Sequence, residues 1–426
     1  MRILIVTLGS HGDLYPYLAV GRALARRGHE CSVATHPYFT PDIAASGLTP
    51  APILTAMSYE RLLGEPRLFH RFHGPAVLVR AFGAVLPDLI AELRRRNAER
   101  RPDVILAHHA AIGARWVAAE AGIPCAVGVL SPFAWCAPED PVPLLQFAPG
   151  AWRRQLARAL DRAGISALHA LSDRWINRLR ARAGFRPGRN LLFGEACGGD
   201  LNLGLWSSAF RGALPGDPPQ GAICGFPWYD GSADDALDPE LERFLATGEP
   251  PLVFTLGSAA VHSARDFFDL AARACARLGR RGVLLVGRGV PSPRALPADV
   301  IAVAWAPHSR IMPRALVNVH HGGIGSTAQA LRAGRSALVI PHAYDQFNNA
   351  VRIATLGTGR MLARHRVAVS RLADNLERCI GDDAMVARAA DLGEHVAAED
   401  GARTAAEHLE RLVAARNSQS ERQEAA

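Results

Sequence analysis

The sequence predicts an α/β protein with two domains, each built around a parallel β-sheet. The chain has 426 residues, which is more than one hydrophobic core usually supports. It also contains an internal repeat, since residues 3–10 read ILIVTLGS and residues 252–258 read LVFTLGS. After each copy, short apolar runs alternate with helical patterns, which is typical of βαβ units and a parallel sheet.

Each apolar, β-branched run predicts a buried strand, because parallel strands are covered on both faces. Beyond the repeat, strands are expected at residues 31–34, 104–107, 126–130, 283–286, 301–304, 316–319 and 337–340. Helical patterns lie at residues 18–27, 111–121, 267–278 and 326–332. Gly28 and Gly122 follow two of these helices, where a left-handed residue commonly ends a helix.

Turn-forming residues cluster at residues 211–219 and 227–239, and they predict the boundary between the domains. The tail from Arg416 is polar, and we expect it to be frayed. The chain therefore divides into an N-terminal domain, a linker, a C-terminal domain and a C-terminal segment, at residues 1–215, 216–238, 239–400 and 401–426.

The basic residues are unusual, because all 48 of them are arginine. The lack of lysine excludes enzymes that need a P-loop lysine or a Schiff-base lysine. The net charge is +8, but the arginines are spread along the chain without a nucleic-acid-binding motif, so we expect no nucleic acid partner. A nucleotide or an anionic membrane surface fits the charge better.

The seven cysteines are scattered and include no CxxC pair, which disfavours a disulfide framework or a zinc knuckle and favours a reducing compartment. The apolar run before Thr7 is too short for the core of a signal peptide. No stretch of about 18 uncharged apolar residues occurs. We therefore expect a cytoplasmic protein, and a peripheral contact with the inner face of the membrane stays open.

Two segments carry apolar residues at helical spacing, residues 152–179 and residues 78–93. Arginines fill the other face of the first segment, which leaves two interpretations: a helix packed on the core or a helix lying on a membrane surface. Packing on the core is the more common use of such a pattern. The second segment is apolar enough to line an apolar pocket.

The most informative segment is residues 319–329, where a predicted strand runs into a glycine-rich turn and then a helix. Glycines let the backbone approach a ligand, and the free N–H groups of a first helical turn bind anions. His321 can neutralise a diphosphate, and Ser326 and Thr327 can cap the helix and donate hydrogen bonds. The alternative is a glycine-lined strand–helix junction without a ligand.

Other nucleotide and metal sites are disfavoured. The loop from Gly9 to Gly12 lacks the GxGxxG spacing of a dinucleotide site, and the strand at residues 31–34 does not end in an acidic residue. No Asp-x-Asp pair occurs, so no metal is expected. Asp345 and Gln346 follow the strand at residues 337–340 and should lie at the carboxyl edge of the sheet, where they suit the hydroxyls of a sugar.

Together these residues resemble glycosyltransferase family one. The matching motifs are Trp-x-Pro at residues 305–307, His-x-Gly-x-x-Ser at residues 321–326 and Asp-Gln at residues 345–346, and residues 9–16 resemble the first loop of the family. The resemblance implies the GT-B fold, with two facing Rossmann-like domains, a cleft between them, and a C-terminal helix that crosses back to the first domain. The first domain is then the acceptor domain and the second binds the nucleotide sugar.

The resemblance also implies the donor-binding residues. Trp305 stacks on the base, His321 and Ser326 hold the diphosphate, and Asp345 and Gln346 hold the sugar. The full set is Gly12, Gly257, Ser258, Trp305, Ala306, His321, Gly322, Gly323, Gly325, Ser326, Gln329, Asp345 and Gln346. Plant members have a Glu at the position of Gln329, which binds the ribose diol, so the Gln favours a deoxythymidine carrier over a uridine carrier.

Asp13 is the expected general base, because antibiotic glycosyltransferases with a similar loop use Asp there. The alternatives are that Asp13 caps a helix beginning near Pro16, and that His11 is the base. The implied reaction inverts the anomeric configuration and needs no metal, and the nucleotide diphosphate sugar is a co-substrate, with no further cofactor expected.

Three further runs, at residues 225–231, 237–245 and 345–350, resemble the rhamnosyltransferases of rhamnolipid biosynthesis. This implies dTDP-rhamnose as donor and a dimer of 3-hydroxy fatty acids as the apolar acceptor. Two alternatives remain. One is a UDP-dependent glucosyltransferase of a sterol, terpenoid or polyketide, and the other is a non-catalytic partner that binds nucleotide sugars.

Overall fold

The chain folds into two compact units. The computed structural model describes residues 1–53, 65, 67–69, 73–137, 139–140, 166–167, 170–194, 197–231, 237–261, 266–290, 292–293 and 295–424. The first unit comprises Met1–Leu62, Ala76–Tyr229 and Asp400–Ala426, and the second comprises Leu63–Pro75 and Asp230–Glu399. The second unit therefore takes in a segment from early in the chain, which the predicted linear boundaries do not include.

The first unit contains a seven-stranded sheet in the order β3-β2-β1-β4-β5-β6-β7, and every neighbouring pair is parallel. The strands are β1 (Arg2–Val6), β2 (Glu30–Ala34), β3 (Thr49–Pro50), β4 (Val104–His108), β5 (Cys125–Val129), β6 (Leu201–Gly204) and β7 (Gly221–Ile223). All residues of β4 and β5 are buried, as expected of strands covered on both faces. Its helices begin with α1 (His11–Arg26), α2 (Thr40–Ala45), α3 (Gly74–Glu99) and α4 (Ile112–Ala121).

The second unit contains a six-stranded sheet in the order β10-β9-β8-β11-β12-β13, again parallel throughout. Its strands are β8 (Leu252–Thr255), β9 (Gly282–Leu285), β10 (Val300–Val303), β11 (Val317–His320), β12 (Ala337–Val339) and β13 (Gly359–Met361). Its helices are α5 (Pro239–Ala246), α6 (Gly257–Ala260), α7 (Phe267–Leu278), α8 (His308–Ile311), α9 (Ile324–Arg332), α10 (Gln346–Leu356), α11 (Val369–Ile380) and α12 (Asp383–Ala398).

The last helix, α13 (Gly401–Glu424), belongs to the first unit and packs along α1. Glu410 on α13 accepts hydrogen bonds of 2.8 Å from Arg27 Nε and of 2.6 Å from Arg27 Nη2, and its Oε1 lies 2.8 Å from His29 Nε2. These bonds fix the C-terminal helix beside the end of the first helix of the chain.

The two parallel sheets and their strand–helix alternation are confirmed. The sequence missed β3, β6, β7 and β13, because their residues, TP, LNLG, GAI and GRM, do not form a continuous apolar run. It also missed α10 to α12. In the segment at residues 152–179, residues 166–167 and 170–179 are helical, and the others lie outside the described residues. The segment at residues 78–93 lies within α3. None of the helices described is both long and apolar enough to span a bilayer.

Candidate active site

Each sheet has one point where the strand order reverses, and the residues singled out from sequence lie at these two points. In the first unit the reversal is between β1 and β4, so the loop after Val6 and the turn after His108 lie at one edge. In the second unit it is between β8 and β11, where Thr255 pairs with His320. Ligands of open α/β sheets bind at the carboxyl ends of strands beside such a reversal.

The glycine-rich turn after β11 has the geometry of an anion site. Gly322 has a φ of 87°, and a Cβ on it would lie 2.8 Å from the carbonyl oxygen of Gln346. Gly323 is the N-cap of α9, and its carbonyl accepts from the N–H of Thr327 at 2.9 Å. The N–H groups of the first turn before Thr327 therefore have no partner within the helix and can bind an anion.

His321 lies between two glycine backbones. A Cβ on Gly257 would lie 2.5 Å from its Cε1, and a Cβ on Gly323 would lie 2.4 Å from its Nε2. Both glycines are therefore required for this ring position. Burial, with a smaller effect from His308, lowers the pKa of His321 to about 3, so the ring is neutral at pH 7. Its Nδ1 is buried and has no hydrogen-bond partner among the described residues.

Gly257 begins the short helix α6 directly after β8. Its φ of 69° is left-handed, and its N–H donates to Thr255 Oγ1 at 3.1 Å. Ser258 is exposed next to it. The second copy of the Thr-Leu-Gly-Ser repeat is thus adjacent to the turn that carries His321.

Trp305 follows β10 and keeps 40% of its surface exposed, which is uncommon for a large aromatic side chain. The guanidinium of Arg288 lies 5.1 Å from the centre of its ring, within the range of a cation–π contact. Ala306 beside it is buried. An exposed indole of this kind can stack on a nucleotide base.

Asp345 and Gln346 differ in how their side chains are used. The Oε1 of Gln346 accepts from the N–H groups of His342 and Ala343, at 2.8 and 3.0 Å, so it holds the turn before α10. The Oδ2 of Asp345 accepts from Asn349 Nδ2 at 2.8 Å, and the same amide donates to the carbonyl of Gly322 at 2.9 Å. Asn349 therefore links Asp345 directly to the glycine-rich turn.

Gln329 and Ser326 lie on α9, and Ser326 is buried in its first turn. The Nε2 of Gln329 donates to Oδ1 of Asp230 at 2.9 Å, and Arg332 one turn later donates to the other oxygen, Oδ2, at 3.1 Å. A carboxylate from the linker thus lies beside the position that lacks one on the helix. A Cβ on Gly325 would meet no atom of the described residues within 4 Å, so they leave this position of the first turn open.

Asp13 in the first unit caps α1. The predicted start near Pro16 is wrong, because the helix begins at His11 and Ser10 is its N-cap. The Oδ2 of Asp13 accepts from the N–H of Ser10 at 2.6 Å and from its hydroxyl at 3.0 Å. A Cβ on Gly9, whose φ is 133°, would lie 2.3 Å from this oxygen, so the close approach requires glycine.

The second oxygen of Asp13, Oδ1, remains outside the cap. The side chain is 33% exposed, and Oδ1 lies 3.6 Å from Nε2 of His108, a ring that is buried. Desolvation by the surrounding protein raises the pKa of Asp13 above 3.8, and the hydrogen bonds from Ser10 offset part of this rise. The carboxylate can therefore cap the helix with one oxygen and act as a base with the other.

The other candidate base, His11, lies among aromatic rings. Its centroid is 5.0 Å from Phe39 and 5.5 Å from Tyr15, with edge-to-face geometry, and its Nε2 lies 3.7 Å from Asp42 Oδ2. Gly12 follows it in the first turn of α1, half-buried.

His108 and His109 were missed from the sequence. His108 is the last residue of β4 and His109 follows it, as His320 is the last residue of β11 and His321 follows it. The His-His dipeptide at both strand ends was the signal that could have identified them. The two turns match in detail, since Ala110 N–H donates to Nδ1 of His108 at 3.3 Å and Gly322 N–H donates to Nδ1 of His320 at 3.1 Å.

Comparison with known proteins gives matches over both halves of the chain. Residues 283–412 match the family described as erythromycin biosynthesis protein CIII-like, C-terminal domain, and residues 17–190 match glycosyltransferase family 4. The O-mycaminosyltylonolide 6-deoxyallosyltransferase of Streptomyces fradiae is 31% identical over 427 residues, covering 95% of this chain and 96% of the relative. The chain belongs to the family-one-like glycosyltransferases.

Two other relatives of this glycosyltransferase are named for different compounds, oleandomycin and a sterol. The oleandomycin glycosyltransferase of Streptomyces antibioticus is 28% identical, covering 99% of this chain and 92% of the relative. A sterol 3-beta-glucosyltransferase of Arabidopsis thaliana is 26% identical, covering 94% of this chain and 64% of the relative.

Solved structures show the GT-B fold of this glycosyltransferase. The glycotransferase of kitacinnamycin superposes with a TM-score of 0.74 at 24% identity, covering 97% of this chain and 99% of the other. VinC in complex with dTDP superposes with a TM-score of 0.69 at 19% identity, and the spinosyn rhamnosyltransferase SpnG with 0.67 at 20%. For these two structures the coverage is 97% of this chain and 99% of the other.

Glycosyl transfer from a nucleotide sugar requires stabilisation of a leaving diphosphate and removal of a proton from the acceptor. The free N–H groups at the start of α9 can do the first, and Oδ1 of Asp13 can do the second. No group of three or more His, Cys, Asp or Glu side chains that could hold a metal occurs among the residues described for this glycosyltransferase.

Proposed function

We propose that this glycosyltransferase moves a 6-deoxyhexose, assigned as L-rhamnose, from its dTDP carrier to a hydroxyl of an apolar acceptor, with inversion. The observation that carries the proposal is the turn after β11. There His321 lies between Gly257 and Gly323, and the first N–H groups of α9, which have no partner within the helix, follow directly. This arrangement suits a pyrophosphate group that becomes a leaving group.

The reaction balances with the chain's own residues. The acceptor oxygen attacks the anomeric carbon, the bond from that carbon to the β-phosphate oxygen breaks, and dTDP leaves. The acceptor proton goes to Oδ1 of Asp13, the oxygen that the helix cap leaves open. The N–H groups of α9 and the His321 ring stabilise the charge that develops on the diphosphate, so no metal is invoked.

Three observations favour a dTDP 6-deoxyhexose as donor. Position 329 carries an amide, and a carboxylate for a ribose diol is absent from the helix. A relative at 31% identity is named a 6-deoxyallosyltransferase. Two structures with the same fold contain thymidine diphosphate, and another is a rhamnosyltransferase. Trp305 and Asp345 are the proposed contacts to the base and the sugar.

The acceptor we propose is a dimer of 3-hydroxy fatty acids, met at the inner face of the membrane by a cytoplasmic enzyme. The sequence runs that resemble rhamnolipid rhamnosyltransferases support it. A polyketide is a second candidate, favoured by the macrolide relatives, and a sterol acceptor with a UDP donor is a third, favoured by the sterol glucosyltransferase. A non-catalytic role is disfavoured by the intact turn after β11 and by the free oxygen of Asp13.

A donor-by-acceptor screen read by mass spectrometry tests the proposal. dTDP-rhamnose, a second dTDP sugar and UDP-glucose are each combined with a 3-hydroxy fatty acid dimer, a macrolide aglycone and a sterol. We expect a mass gain of one deoxyhexose with a dTDP donor, and a larger thermal stabilisation by dTDP than by UDP. Transfer from UDP-glucose alone would reject the donor assignment, and binding of nucleotides without transfer to any acceptor would favour the non-catalytic role.

A further inference from the structure

The geometry points to His108 as the residue that positions the catalytic carboxylate of Asp13, by donating its Nε2–H toward Oδ1. The inference rests on the proposed function of Asp13 as the base. It concerns a side chain that lies on β4, distant in sequence from the first turn of α1, which carries Asp13.

The hydrogen bonds of His108 determine where its proton is. Its Nδ1 accepts from the N–H of Ala110 at 3.3 Å, so Nδ1 carries no hydrogen. Burial lowers the pKa of the ring to about 3, so it is neutral and its one hydrogen is on Nε2. That atom is buried, has no hydrogen-bond partner among the described residues, and faces Asp13 Oδ1 at 3.6 Å.

Only one oxygen of the Asp13 carboxylate lies outside the helix cap. Oδ2 accepts from both the N–H and the hydroxyl of Ser10, which leaves Oδ1 for the acceptor. A donor beside Oδ1 fixes the plane of the carboxylate and stabilises its ionised form. The distance of 3.6 Å is slightly longer than a hydrogen bond, and such catalytic contacts commonly shorten when substrate binds.

The corresponding turn in the second unit shows that the fold itself does not need this pairing. His320 ends β11 with the same N–H to Nδ1 hydrogen bond, and its Nε2 is also buried and unpartnered among the described residues. No ion pair between His320 and a carboxylate occurs in the described part of the chain. The turn therefore forms without an acid, and the Asp13 carboxylate is an addition specific to the first unit.

Two buried titratable groups close to Asp13 stay neutral over the useful pH range. Tyr17, on the same helix, has its pKa raised well above 10 by burial. His109, next to His108, has its pKa lowered well below 6.5, mainly by burial and also by His108. A change in the acid limb of activity between pH 4 and 8 therefore comes from neither of these two groups. Repeating the comparison in a His11→Gln background separates Asp13 from the other candidate base, whose Nε2 lies 3.7 Å from Asp42 Oδ2.

The test compares His108→Phe with His108→Gln, whose amide can replace the Nε2–H donor. We expect His108→Phe to move the acid limb of kcat/KM to higher pH by about one unit, because loss of a donor to the carboxylate raises its pKa. His108→Gln should keep the wild-type limb. Tyr17→Phe is the matched control, because it removes the buried hydrogen bond of 2.7 Å to the Gly128 carbonyl while leaving the donor to Asp13 intact.

The outcomes separate the two proposals. If the wild type transfers sugar but His108→Phe keeps its acid limb, or Tyr17→Phe moves it equally, the role of His108 is overturned and that of Asp13 stands. If Asp13→Asn transfers sugar at the wild-type rate, the proposed base itself fails. A further measurement needs neither activity nor a folded variant: nitrogen NMR of the wild-type imidazoles should show His108 with hydrogen on Nε2, and hydrogen on Nδ1 would overturn the inference.

Discussion

Gln329 on α9 donates a hydrogen bond of 2.9 Å to the carboxylate of Asp230, a residue from the segment that links the two sheets in sequence. Asp230 is 37% exposed and also accepts from Arg332 at 3.1 Å. The side chain at position 329 therefore has a role of its own, because its amide donates to one of the two carboxylate oxygens of Asp230.

Gln329→Glu should destabilise the protein. The change replaces a donor with a second negative group facing Asp230, so we expect the free energy of unfolding to fall by about 1 to 2 kcal/mol. Denaturant unfolding measures this change. The double variant Gln329→Glu with Asp230→Asn supplies a new amide donor and should recover most of the loss. A single variant as stable as the wild type would contradict the geometry.

The same double variant should alter the choice of nucleotide. A carboxylate at position 329 can accept from a ribose 2′-hydroxyl, which UDP has and dTDP lacks. We expect the affinity for UDP relative to dTDP to rise roughly tenfold, the effect of one charge-assisted hydrogen bond. Titration calorimetry with both nucleotides measures the ratio, and Asp230→Asn alone is the control. An unchanged ratio would show that position 329 does not face the sugar of the nucleotide.

Two glycines of the turn after β11 offer a matched pair. Gly323→Ala would bring a Cβ to 2.4 Å from Nε2 of His321, whereas the Cβ of Gly325→Ala would meet none of the described atoms within 4 Å. We expect Gly323→Ala to displace the ring and weaken dTDP binding by at least about tenfold. Gly325→Ala should keep or raise the melting temperature, since Ala is the better helix former. Equal dTDP affinity in Gly323→Ala and the wild type would contradict the role of His321.

Much of this arrangement could be predicted from the sequence, because it depends on local signals. Buried parallel strands show as continuous apolar runs, and the turn at residues 319–329 shows as glycines after a strand. The start of α1 was misplaced because Ser10 and Asp13 form a capping box of Ser-x-x-Asp, in which Asp takes the position commonly held by Glu. Pro16 then lies inside the helix rather than at its start.

Contacts that join distant segments could not be predicted. Asp13 and His108 lie close together because β1 and β4 are neighbours in the sheet. Neither sequence segment indicates which strand is its neighbour. The contact of Gln329 with Asp230 joins residues 99 positions apart. Gln346 Oε1 accepts from the N–H groups of His342 and Ala343 across a turn in which Tyr344 has a φ of 57°, a left-handed conformation that a tyrosine in the sequence does not indicate.

Asn349→Ala should uncouple Asp345 from the glycine-rich turn. The amide bridges Asp345 Oδ2 and the Gly322 carbonyl, so its loss removes two hydrogen bonds. We expect a loss of about 1 to 3 kcal/mol in stability and a lower kcat/KM for the donor sugar. Asn348→Ala is the control, because its Oδ1 accepts from Arg352 at 2.9 Å instead. It should lose stability while keeping the wild-type kcat/KM for the donor sugar, and an equal loss of kcat/KM in both variants would reject the bridge.

Acid should destabilise the protein well above the pH at which carboxylates protonate. Burial lowers the pKa of four histidines of the second unit. The value falls to about 4 for His308, about 3 for His320 and His321, and about 2 for His342. Because these values lie below the unfolded value near 6.5, the unfolded state binds more protons as the pH falls, so stability is full above pH 6.5 and declines below it.

We expect each such histidine to contribute up to about 1.4 kcal/mol of lost stability per pH unit between pH 6 and the folded pKa. Denaturant unfolding at pH 7.5, 6.0 and 5.0 gives the slope. His320→Asn keeps an acceptor for the Gly322 N–H and removes one titrating ring, so it should reduce the slope by about one proton. A wild-type slope near zero in this range would mean that these rings are not held neutral in the folded protein.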